Sequence, residues 1–169
     1  MKGRRFALLA TVFCSIFLFC SCKNKEAERP DLNYDYSLCA EISSDNMTYS
    51  AYLSSISGQW KITCSSPDEL SGMEITLEDD FCKISFNGLE MKTDREKLPS
   101  AAIFSLITKS LDCAAHSSSV TFTESGGIVT ASGVVDGADF TLSFENGSPK
   151  KLSVGGNAFT AEITDFKKL

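Results

Sequence analysis

Tyr34-Asp-Tyr-Ser-Leu-Cys-Ala-Glu-Ile-Ser43 alternates residue by residue. Tyr34, Tyr36, Leu38, Ala40 and Ile42 fall on one side of an extended chain, with Asp35, Ser37, Cys39, Glu41 and Ser43 on the other. A period of two means a strand with one buried and one wet face. Asp45-Asn46 supplies a turn, after which Met47, Tyr49, Ala51 and Leu53 repeat the pattern, and Ser57-Gly58 breaks the chain before Trp60, Ile62 and Cys64. Three such strands joined by short turns predict an antiparallel meander. Pro67 to Gly72 reads as a turn or one short helical turn. Met73, Ile75 and Leu77, the acidic turn Glu78-Asp79-Asp80, and Cys82, Ile84 and Phe86 extend the series. Asn87-Gly88 is the strongest hairpin signal in the chain and leads into Leu89 to Lys92.

The period then changes. Ile103, Leu106, Ile107, Leu111 and Ala114, with Phe104 beside them, follow the i, i+3, i+4 spacing of an amphipathic helix that starts near Pro99 and ends before His116. Alternation resumes through Val120 and Phe122; Val129, Ala131 and Val135; Phe140, Leu142 and Phe144; Leu152 and Val154; and Phe159, Ala161 and Ile163. Gly126-Gly127, Asp136-Gly137, Asn146-Gly147 and Gly155-Gly156-Asn157 separate these runs. So many one-faced strands must curl around something, and the single long helix is the available filling. The expected fold of residues 34–169 is mainly β (α+β): a curved antiparallel half-barrel of about 11 strands with one amphipathic helix on its concave face.

The N-terminus is built differently. Met1 to Arg5 is basic, Phe6 to Phe19 is an apolar run, and the small residue Ser21 precedes Cys22. That order is the one of a secretory signal, expected over residues 1–21, and the run is shorter than the roughly 20 residues of a membrane-spanning helix. Residues 22–33, containing KNKEAERPDLN after Cys22, read as a polar tether broken by Pro30. Without the signal the chain retains 13 of its 16 basic residues against all 22 acidic ones, a poor balance for binding nucleic acid.

Leu18-Phe19-Cys20-Ser21-Cys22 resembles the lipobox of bacterial lipoproteins, in which a small residue precedes the Cys that receives the lipid. The resemblance implies lipidation at Cys22 rather than Cys20, whose predecessor Phe19 is bulky. It also implies an exported protein, held by its N-terminal lipid on the outer face of the bacterial cytoplasmic membrane.

Gln59-Trp60-Lys61-Ile62-Thr63-Cys64-Ser65-Ser66-Pro67, with Leu70-Ser71-Gly72-Met73 after it, looks like a strand, proline and turn found in Gram-positive lipoprotein members of the LolA/LolB/RseB-like superfamily. Phe140 to Leu152 (FTLSFENGSPKKL) is similar to a late hairpin of the same group, with Glu145, Gly147 and Pro149 in the places of its acidic residue, turn Gly and Pro. The likeness spans about Tyr34 to Phe166. It implies an open half-barrel covered by helices, although this body has space for essentially one.

No catalytic constellation emerges. His116 is the single histidine, in a Ser-rich link, and no GxSxG, GxGxxG, Walker A, HExxH or EF-hand pattern occurs. The chain therefore reads as no enzyme, with no cofactor and no metal; Glu78-Asp79-Asp80 is a solvated turn. Cys39, Cys64, Cys82 and Cys113 form no CxxC or Cys/His pair, and Cys64 and Cys82 sit on apolar strand faces, so free thiols are expected. The aromatic and aliphatic set on the buried registers, Trp60, Ile62, Ile84, Phe86, Phe104, Ile107, Phe122, Phe140 and Phe144, meets between sheet and helix. One expectation is a hydrophobic groove there for a lipid, acyl chain or apolar protein segment. The other is a packed core in an interaction or regulatory lipoprotein that meets an envelope partner through its sheet surface. Oligomeric state is left open.

Overall fold

The computed structural model describes residues 25–44, 47–78, 80–97, 102–155 and 158–169. Cys22 and the expected signal lie outside them, as do Asp45-Asn46, Asp79, Pro99 and Gly156-Asn157.

Twelve strands form one antiparallel sheet among the described residues: β1 (Lys25–Glu26), β2 (Tyr36–Ser44), β3 (Met47–Ile56), β4 (Gln59–Ser66), β5 (Glu74–Leu77), β6 (Phe81–Phe86), β7 (Leu89–Asp94), β8 (Thr121–Ser125), β9 (Ile128–Val135), β10 (Ala138–Glu145), β11 (Ser148–Val154) and β12 (Phe159–Lys168). Their order in space is β1-β8-β9-β10-β11-β12-β2-β3-β4-β5-β6-β7. Two meanders, β2 to β7 and β8 to β12, are thus joined where β12 pairs with β2. The sheet stays open, with β1 and β7 as its edges. One α-helix is present among the described residues, α1 (Ile103–His116), which follows the β7 edge in the chain, packs on β9 and β10, and leads to β8. This is the expected half-barrel with a helix in its concavity.

Turn chemistry sets the registers. Ser57-Gly58, Asn87-Gly88, Gly126-Gly127, Asp136-Gly137 and Asn146-Gly147 each place two successive residues at positive φ. Such two-residue turns match the right-handed twist of the strands they join. Between turns, alternation holds the apolar residues inward: in β4, Trp60, Ile62 and Cys64 are buried while Gln59, Lys61 and Ser65 are exposed. A Cβ on Gly133 would stand 2.9 Å from Phe140 Cε1 and 3.0 Å from Val120 Cγ2, so the missing side chain is what lets the Phe140 ring lie across β9.

Two expectations change. The helix takes in His116, because Ser117 N–H donates to the Cys113 carbonyl at 2.9 Å and closes a last turn. The stretch read as a solvated tether lies against the domain from Lys25 onward, and its two-residue β1 raises the strand count to twelve. The physical reason is Arg29, whose guanidinium donates to the Ala115 carbonyl at 2.9 Å and to the Ser117 carbonyl, and also stands 5.4 Å from the Phe122 ring centroid. The last carbonyls of a helix lack partners within it and attract a cation. Leu32, the one leucine of the stretch, adds an apolar hold, since its side chain is buried in the core.

Candidate functional site

A row of directly opposed residues crosses the concave face: Leu38, Leu53, Ile62, Ile75, Ile84 and Met91, on β2 through β7. Opposed residues share a face. Exposure climbs along the row, from 1% at Leu38 and 0% at Leu53 and Ile62 to 8% at Ile75, then through half-buried Ile84 to 54% at Met91. The neighbouring pair Phe86 and Leu89 ends with Leu89 at 78%. The concave surface is therefore dry in the middle and uncovered toward the β7 edge.

Where the cover ends, a cavity of about 110 Å³ opens between Ile75, Leu77, Cys82 and Ile84 of the sheet and Ala102, Ile103, Phe104 and Ser105 at the start of α1. Its walls are almost wholly apolar. The volume is below the roughly 300–1,000 Å³ of small-molecule pockets, so it is an inlet rather than a chamber.

The nine residues expected to line a groove separate into three groups. Trp60, Ile62, Ile107, Phe122, Phe140 and Phe144 are buried in the packed core. Ile84 and Phe104 come together at the inlet. Phe86 stands apart from both, half-buried beside Gly72, Glu74, Asn87 and Gly88 near the hairpin tip. Ile75, Leu77, Cys82 and Ile103 at the inlet, and Leu89 and Met91 beyond it, lie outside that expected set. The Asn87-Gly88 turn carried the signal for the last two, since a two-residue loop forces Leu89 opposite Phe86 and Met91 opposite Ile84.

A second cavity, of about 280 Å³ and mixed polar and apolar lining, lies at the other end of α1, between Leu32, Tyr34, Asp35, Tyr36, Asp112 and His116 among others. Asp112 is held by Trp60, whose Nε1–H donates to Oδ1 at 3.1 Å and Oδ2 at 3.2 Å. Burial pushes the Asp112 carboxyl above its usual range, against the lowering effects of the Trp60 hydrogen bond, Arg95 and His116. Tyr36, packed edge-on to Trp60 at 5.6 Å, has its phenol raised by burial and then by the Asp112 charge. No sequence signal marked Asp112, which follows Leu111 as an ordinary helical polar residue. His116 is exposed at the helix end.

The thiols of Cys39, Cys64, Cys82 and Cys113 are free. Burial raises the pKa of Cys64 and Cys82, which leaves them protonated small hydrophobes rather than nucleophiles. Among the described residues no three His, Cys, Asp or Glu side chains converge as a metal-ligand set.

No family model matches the chain, and no curated protein matches it in sequence. Among solved structures, the chain is similar to an uncharacterized conserved protein from Thermus thermophilus, with 8% identity and a TM-score of 0.52 over 82% of this chain and 80% of that one. It is also similar to a LolA superfamily protein from Nitrosomonas europaea, with 8% identity and a TM-score of 0.38 over 85% of this chain and 89% of that one. The first likeness is one of fold alone, and the second is too distant to place the chain in that superfamily.

Proposed function

We propose that this chain is a non-enzymatic envelope lipoprotein, anchored through Cys22, that takes an apolar ligand between the start of α1 and strands β5 to β7. The observation that carries the reading is the exposure gradient from Leu38 to Met91, which ends in an apolar inlet beside uncovered apolar side chains. Burying those side chains under a lipid or acyl chain removes apolar surface from water at about 25 cal/mol per Å². The lipobox-like segment around Cys22 supports the anchor, and an anchored domain meets its lipid at the membrane surface.

The test uses the body without its first 22 residues, purified without detergent. Native mass spectrometry should find a copurified lipid, and an apolar fluorescent dye should bind. Ile103→Trp, which fills the inlet, should weaken dye binding at least several-fold. A parent that carries no small molecule and binds no dye would defeat the reading. A second reading is an interaction or regulatory lipoprotein with a packed interior, and the complete burial of Trp60, Ile62, Ile107, Phe140 and Phe144 favours it. In that case dye binding is absent and an envelope protein crosslinks to the sheet surface.

A further inference from the structure

The β7 edge carries a self-complementary code. Arg95 N–H donates to the Asp80 carbonyl at 2.9 Å, and the two-residue Asn87-Gly88 turn makes Phe86 and Leu89 a hydrogen-bonded pair. Ladder hydrogen bonds alternate, so the odd residues Leu89, Met91 and Thr93 bond toward β6. The backbone N–H and C=O groups of Glu90, Lys92 and Asp94 point away from the sheet, along an edge that no strand covers among the described residues. An open edge of this kind is a template for another strand.

Side chains decide which strand. Lys92 lies directly opposite Lys83, a like-charge pair that costs stability. Glu90 bonds to Lys83 at 2.7 Å, and Lys92 Nζ sits 3.3 Å from the Phe81 ring centroid, with no carboxylate partner among the described residues. In an antiparallel pairing of two β7 strands, residues of like parity must oppose each other to keep the faces aligned. A two-fold axis at Glu90 opposes two glutamates. One at Lys92 opposes two lysines and sets Glu90 against Asp94. An axis at Met91 instead sets each Glu90 opposite Lys92 of the second copy, with both residues presenting their free backbone groups. The same register joins the two exposed Met91 side chains on the concave face, with each Leu89 beside Thr93 of the second copy.

We infer that β7 is a homodimer seam: two copies pair antiparallel about Met91, held by four backbone hydrogen bonds between Glu90 and Lys92 and by two Glu90–Lys92 ion pairs. The seam is independent of the ligand reading, since it stands on backbone direction and charge order. Six residues a side is less than a permanent interface buries, so the dimer is weak and concentration-dependent.

The full chain, in mild detergent at low salt, is measured by sedimentation up to about 1 mM. The parent should dimerise; Glu90→Lys and Lys92→Glu should each weaken dimerisation about tenfold, because two attractive cross-strand pairs become repulsive. Mixing the two weakened variants should restore association, since every opposed pair in the mixed dimer is then Lys against Glu. A second measurement covers variants that misfold: Met91→Cys in membranes should form an intermolecular disulfide above the parent background, and Thr93→Cys should not. A parent monomeric at about 1 mM, a dimer indifferent to both charge reversals, a mixture that does not recover although both variants fold, or crosslinking at Thr93→Cys equal to that at Met91→Cys overturns the seam.

Discussion

Trp60 Nε1–H bridges both carboxylate oxygens of Asp112, at 3.1 and 3.2 Å, and so ties the start of β4 to the last half of α1. The indole is fully buried and the carboxylate only partly, on the wall of the cavity shared with Tyr34, Tyr36 and His116. A buried indole N–H without an acceptor would be costly, and Asp112 supplies that acceptor at the expense of its own hydration.

That expense has a pH signature. Unfolded, Asp112 titrates near its ordinary value of 3.8; folded, it titrates higher. Between those two values the native state binds more protons, so stability contributed by this group is greatest at low pH and falls as pH rises through the folded pKa. Asp112→Asn keeps an oxygen for Trp60 but has no charge to desolvate. Its stability relative to the parent should therefore rise with pH across the acid range, as read by urea denaturation from about pH 3 to 7. Parallel stability curves for the two proteins would refute this.

Phe144 and Phe104 test where the interior closes. Phe144 is fully buried, whereas Phe104 borders the apolar inlet. Phe144→Ala should cost about 3–5 kcal/mol and Phe104→Ala about 1–2 kcal/mol, because truncation beside an existing cavity creates less new void. Equal losses in chemical denaturation would mean that the inlet is packed shut.

Gly133→Ala adds one methyl where Phe140 and Val120 already stand at 2.9 and 3.0 Å. Overpacking of this kind should lower stability by about 1–3 kcal/mol. Pairing it with Phe140→Leu, which removes the ring, should recover part of the loss; a double mutant with simply additive losses would contradict the contact.

Arg29→Ala removes the cation that holds the end of α1. Global stability should drop by about 1 kcal/mol or less, and the loss should be local. Hydrogen exchange reads it at the Ala27 amide, which donates to the Phe122 carbonyl at 3.1 Å: that amide should exchange at least several-fold faster while the β3 and β4 amides stay protected. Unchanged protection at Ala27 would show that Leu32 and the β1–β8 pairing hold the segment without Arg29.

Cys22→Ser should abolish acyl labelling and leave an unprocessed precursor in cells, while Cys20→Ser should still be labelled. Loss of label in the Cys20 variant alone would move the cleavage site.

The sequence by itself determined eleven of the twelve described strands, the two-residue turns between them and the helix, because each follows from a local rule. Alternation from Tyr34 to Ile42 specifies one strand face, Asn87-Gly88 specifies a hairpin, and Ile103 to Ala114 specifies one helical stripe. What those rules leave open is how far one element covers another. Phe140, Phe86 and Met91 all occupy apolar registers, yet Phe140 is buried on β10, a strand on which α1 packs, Phe86 is half-buried, and Met91 is exposed. The difference is distance from the helix along the sheet, which no period encodes. The same holds for Arg29 and Asp112, polar residues unremarkable in sequence. Arg29 became a helix cap and Asp112 a half-buried acceptor because strands distant in the chain brought α1 and Trp60 within hydrogen-bond reach. Local periodicity is set by neighbours a few residues apart; exposure and partner choice are set by where the curved sheet runs out of helix to cover it.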